Sequence, residues 1–98
     1  DTFGFMYTNE GQDIIADFVH GTDKIAISQT GFKLSANTTV YFIANSNPKA
    51  TNTNPALLYN TSTGLLTYDS NGSSWFGQSK LATLIGTPVL TDSDILLF

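Results

Sequence analysis

Apolar residues in this chain come in short runs cut by polar turn signals, and nowhere do they keep helical spacing for more than about two turns. A helix needs a sustained apolar stripe at i, i+3, i+4 and i+7 to be held by packing. Without one, the chain is confined to strands. Residues 2–7 alternate, with Phe3 and Phe5 on one side and Thr2, Gly4 and Met6 on the other. Val40, Tyr41, Phe42 and Ile43 alternate likewise, as do the runs at 57–59, 65–68 and 81–85. The reading is an all-β domain of about seven or eight short strands, arranged as a roll or sandwich.

The stretch the others are arranged around is residues 13–28. Ile14, Ile15 and Phe18 precede a polar break at His20-Gly21-Thr22-Asp23, and Ile25-Ala26-Ile27 follow it. β-Branched and aromatic residues suit a pleated, half-buried surface, and Gly beside Thr-Asp supplies turn chemistry. Asp13 and Asp17 each lie next to an apolar residue, and Asp23 stands in the polar break between Thr22 and Lys24. Such carboxylates suit a hard cation such as Ca²⁺, or else cap turns through bonds to backbone N–H groups. Asp17 and Asp23 fit the second role better.

Further along, Asn45 to Pro55 contains four asparagines and two prolines and reads as a surface loop. Leu57-Leu58-Tyr59, the loop Asn60 to Gly64, and Leu65 to Asp69 read as a hairpin. Asp69-Ser70-Asn71-Gly72 has half of an acidic calcium loop but no distal Glu, so a turn is expected. Asp92-Ser93-Asp94 leads into Ile95-Leu96-Leu97-Phe98, to be buried as a final strand or offered to a partner. The expected core is Phe3, Phe5, Ile15, Phe18, Ile25, Ile27, Leu66 and Leu84.

Composition excludes several functions. A chain of 98 residues makes one domain. Its net charge is −4, Arg is absent, and Lys24, Lys33, Lys49 and Lys80 are scattered. No basic face exists to neutralise phosphates, so nucleic acid is not an expected partner, and an anionic membrane surface would repel the chain. No apolar stretch approaches the roughly 20 residues of a membrane span. With no cysteine there is neither a disulfide framework nor a thiolate metal site. The lone histidine, His20, sits at a turn and is expected to be solvated; there is no Gly-x-Ser-x-Gly elbow, and no catalytic residue is assigned. Trp75-Phe76, Tyr41 and Tyr59 are expected to pack in the core or hairpins rather than to form a sugar platform.

Several of these motifs resemble one family. Asp13-x-Ile15-x-Asp17-Phe18-x-x-Gly21-x-Asp23-Lys24-Ile25-x-Ile27-Ser28 is similar to the segment closing the calcium β-roll of RTX, or hemolysin-type, secreted proteins, including the C-terminal region of serralysin-type proteases. Asp1-Thr2-Phe3-Gly4-Phe5 resembles the end of the last glycine-rich repeat. Ala56 to Gly72 resembles the family's hairpin, Leu81 to Pro88 its next strand and turn, and Leu90-Thr91-x-x-Asp94-Ile95 its terminal strand. The resemblance leaves out residues 29–55. The repeated Gly-Gly-x-Gly-x-Asp nonapeptide is absent, and Ala26 stands where the family has a second aspartate.

The resemblance implies that residues 1–28 end a β-roll and that 29–98 carry capping hairpins and a C-terminal secretion segment. It implies a noncatalytic, extracellular or cell-surface domain, a piece of a larger protein, whose partners are the upstream repeats and the type I secretion machinery. Ca²⁺ is the implied cofactor, with Asp1, Glu10 and Asp13 as metal ligands. A monomer is expected. The alternative is a carbohydrate- or surface-binding β-sandwich module of an adhesin or extracellular enzyme, for which exposed aromatics around Trp75 would speak.

Overall fold

The computed structural model describes residues 1–6, 13–34, 40–71 and 78–98. The expected loop at 8–12, Glu10, the start of the fourth strand at 37–39, and Trp75-Phe76 lie outside them. The fold is all-β. Among the described residues there are eight strands: β1 (Thr2–Phe5), β2 (Asp13–Ile15), β3 (Lys24–Ile27), β4 (Tyr41–Asn45), β5 (Ala56–Asn60), β6 (Leu65–Asp69), β7 (Gln78–Leu84) and β8 (Ile95–Leu97). A single 3₁₀ turn, Asp92–Asp94, precedes β8. No helix among the described residues is long and apolar enough to cross a membrane.

The strands form a three-stranded sheet in the order β1-β3-β8 and a five-stranded sheet in the order β2-β7-β6-β5-β4. In the smaller sheet every pairing is parallel: Phe3 lies beside Ile25, and Ile25 beside Ile95. β2 is likewise parallel to β7, with Asp13 opposite Ala82. The chain therefore alternates between sheets, β1 to β2 to β3, and returns beside its start with Thr2 level with Lys24. β7 takes the next place beside β2, and β8 the next beside β3. Strands β1, β2, β3, β7 and β8 thus follow one parallel two-sheet winding. β4, β5 and β6 are inserted into it and extend the larger sheet beyond β7.

Between the inserted strands the expected hairpin forms at 56–69, with Leu57 opposite Tyr68 and Tyr59 opposite Leu66. Its loop closes with Gly64 N–H on the Asn60 carbonyl, while the Asn60 side chain accepts from Ser62 and Thr63 N–H. β6 and β7 continue antiparallel with a register shift at Leu66/Thr67. That bulge leaves Leu81 without an opposite residue, and Leu81 and Ala82 both turn into the core. β4, by contrast, pairs with β5 in parallel, so the Asn- and Pro-rich segment is a crossover rather than a hairpin loop.

The core lies between the sheets. Phe5, Ile15, Phe18, Ile25, Ile27, Leu66 and Leu84 are buried as expected, and Phe3 packs against them partly exposed. Phe32 and Leu34 join them from the turn after β3, where no strand forms. Each buried Leu, Ile or Phe contributes about 1.5–3 kcal/mol over its exposed state. The apolar end of the chain departs from this pattern. It does form a strand, yet Leu96, Leu97 and Phe98 are 45%, 40% and 53% exposed, because an edge strand of three residues has the core on one face only.

Candidate functional site

The polar turn between Phe18 and Lys24 is folded by its own side chains. Asp23 N–H and Thr22 N–H donate to the Val19 carbonyl, and Gly21 takes a φ of +84°, open to glycine at little cost. Asp23 turns back to accept from Val19 N–H at 2.8 Å and from the Asp1 backbone nitrogen at 2.6 Å. The hydrogen bond from the Asp1 amino group, followed by that from Val19, holds the Asp23 carboxyl below its ordinary value. Asp23 thus acts through bonds to backbone nitrogen, as expected of it. Asp17 is exposed.

This turn is also the seat of a residue from the far end of the chain. The Asp94 side chain is fully buried. Its Oδ2 accepts from His20 Nδ1 at 2.5 Å and from Thr91 N–H at 3.0 Å, and its Oδ1 accepts from Gly21 N–H at 3.1 Å. Lys24 Nζ stands 4.0 Å from Oδ1 and donates to the Ser93 carbonyl at 2.9 Å. Burial pushes the Asp94 carboxyl up, but the bonds from His20, Thr91 and Gly21 outweigh it and leave the group below its ordinary value. The histidine expected to be merely solvated is half-exposed and tied at Nδ1 to this carboxylate. Its spacing from Asp94 left no local trace in the sequence; only Thr91, three residues before Asp94, hinted at a turn-capping acid.

A histidine oriented by a buried carboxylate is one half of a hydrolytic relay. Among the described residues, the two hydroxyls beside Asp94 are engaged otherwise. Thr91 Oγ1 and Ser93 Oγ bond to each other at 2.8 Å, and Thr91 Oγ1 reaches Asp94 rather than His20.

The metal ligands implied by the resemblance sit elsewhere. The Asp1 carbonyl accepts from Lys24 N–H at 2.8 Å, with its side chain in solvent. Asp13 begins β2, exposed, and with Phe3, Gly4, Phe5, Ile14 and Ile15 lines a cleft of about 280 Å³ between β1 and β2. Glu10 lies outside the described residues. Among the described residues no three His, Cys, Asp or Glu side chains come together as a metal site. Those residues alone do not supply the six to eight oxygens Ca²⁺ takes.

A second cleft, of about 410 Å³, lies between the turn at Gly31-Phe32-Lys33 and the ends of β6 and β7, with Ser70, Gln78 and Ser79 on its walls. Phe32 and Tyr68 meet edge to face beneath it, their centroids 4.9 Å apart. Of the other aromatics among the described residues, Tyr59 is buried with its hydroxyl on the Pro88 carbonyl at 2.6 Å, and Tyr41 is exposed on the edge strand β4. No family model, curated protein or solved structure matches this chain.

Proposed function

We propose that this is a noncatalytic extracellular domain that caps a calcium-binding RTX β-roll and carries the type I secretion segment. One observation supports it above all: among the described residues β1 and β2, the first strands of the parallel winding, are both edge strands, and they line one cleft between them. Unpaired edges facing an apolar cleft invite another strand on each. One preceding turn of a two-sheet roll would add a strand to β1 and a strand to β2 at once. At the other end, β4, β5 and β6 prolong the larger sheet past the winding, as a cap would.

On this reading the exposed Asp1 and Asp13 carboxylates, with Glu10, complete a Ca²⁺ shell whose remaining oxygens come from the preceding turn of the roll. The ion binds the folded state and not the unfolded one, so calcium outside the cell drives folding after export. The test is a fusion of this chain to two upstream glycine-rich repeats, unfolded in urea with and without calcium. Free Ca²⁺ at about 100 times its dissociation constant should add about 2.7 kcal/mol to the fusion. Asp13→Ala should remove much of that gain. A fusion whose unfolding ignores calcium would sink the reading.

A further inference from the structure

We propose that the segment 91–98 is a clasp that docks and undocks as one unit, and that Asp94, seated in the His20–Gly21 turn, is its pin. The other strands of the winding, β1, β2, β3 and β7, and the inserted strands stay folded while the clasp opens. This inference does not depend on calcium or on the capping role.

The segment has little else to hold it. β8 is three residues long and, among the described residues, pairs with β3 alone. Beyond Ile95, which is partly buried, its side chains are exposed, so undocking forfeits little apolar burial. What closes it is polar: the Asp94 carboxylate on His20 and Gly21, the Lys24 ammonium on the Ser93 carbonyl, and the backbone bonds Phe98 N–H to Ile27 and Gln29 N–H to Phe98. Among the described residues the charged groups facing Asp94 are His20 from the turn and Lys24 from β3, and Asp92 on its own turn is exposed.

The chain approaches the segment through a strained turn. Gly86 has φ +84° and Thr87 φ +47°, and a β-branched residue at positive φ is a strained outlier. Two anchors between that turn and the segment stay on the body: the Pro88 carbonyl on the Tyr59 hydroxyl, and Leu90 buried in the core. Motion is therefore confined to Thr91 onward. Segments with few buried apolar contacts and a small set of polar bonds open locally, below the free energy of global unfolding. An open clasp presents Ile95-Leu96-Leu97-Phe98 as an extended apolar strand and uncovers the β3 edge to any chain able to pair with it.

Amide hydrogen exchange by NMR on the whole chain at neutral pH tests this. In Asp94→Asn the amides of Gly21, Gln29 and Phe98 should exchange about tenfold faster or more, while those of β5, β6 and β7 stay within about twofold. Equal acceleration everywhere would reduce Asp94 to a contributor to global stability and overturn the clasp. No acceleration at those three amides would overturn it too. Should Asp94→Asn fail to fold, His20→Ala removes one donor from the half-exposed side. It must speed the same three amides, by a smaller factor, and leave β5 to β7 alone; any other pattern counts against the clasp.

Discussion

Gly64 and Leu84 lie backbone against backbone. The Leu84 N–H donates to the Gly64 carbonyl at 2.8 Å, and a β-carbon at position 64 would stand 2.2 Å from the Leu84 carbonyl oxygen. Gly64 also has a φ of +79°. Its missing side chain lets the hairpin loop after β5 press onto the end of β7. Gly64→Ala therefore meets both a disfavoured backbone conformation and a clash with backbone, which has no flexible end to move aside. The expected loss is about 2–4 kcal/mol, or a fall in Tm of roughly 10–25 °C for a domain this size. Urea and thermal unfolding measure it. A change below about 1 kcal/mol would mean that loop and strand are not in this contact.

That hairpin was legible because its cues are local. Short, near-continuous apolar runs flank a polar loop ending in Gly64, and the turn forms within a few residues of its signal. The core was legible for a similar reason: Phe5, Phe18, Ile25 and Leu66 stand at alternating or flanking positions of apolar runs, and they are buried. The parallel pairings were not legible. β1 meets β3 and β4 meets β5 across long crossovers, and no turn residue encodes which distant strand a crossover returns to. The same limit applies to the site. Asp23 reads as a turn aspartate because its partner, Val19, is four residues away. Asp94 reads as a terminal-strand residue because His20 is 74 residues away, and only the winding brings them together.

The end of the chain carries the second prediction. Leu96, Leu97 and Phe98 are exposed apolar residues on an edge strand, as a segment to be read by another protein would be. On the proposed function, deleting Ile95 to Phe98 abolishes export from a type I-competent cell. A short polar tail fused after Phe98 should leave β8 paired, so that comparing it with the deletion separates loss of the strand from loss of the secretion segment. Secreted and retained protein are compared by immunoblot, and the strand by amide exchange. Export of the truncated chain at the normal rate removes the secretion role, whatever becomes of the β-roll.

The last prediction is the sign of the acid response. Asp94 is below its ordinary value of 3.8 when folded: its burial raises it, and the bonds from His20, Thr91 and Gly21 more than offset that. A carboxyl depressed by folding takes up its proton more readily in the unfolded chain. Its contribution is therefore fully present above the ordinary carboxyl range and is lost as pH falls through the folded value. Asp23 is shifted in the same direction and adds to the same slope. Wild type should keep its stability between about pH 7 and pH 5 as far as these two groups are concerned, then lose it steadily below about pH 4. Asp94→Asn should be weaker by about 1–3 kcal/mol at pH 7, since it removes the charge from the bonds to His20, Thr91 and Gly21. That gap should narrow as pH falls, because protonation does to the wild type what the substitution has already done. Urea unfolding at pH 7, 5, 4 and 3 follows both curves. Two parallel curves, with a constant gap down to pH 3, would mean that the buried carboxyl does not titrate with folding and that the bonds to His20, Thr91 and Gly21 do not favour its charge.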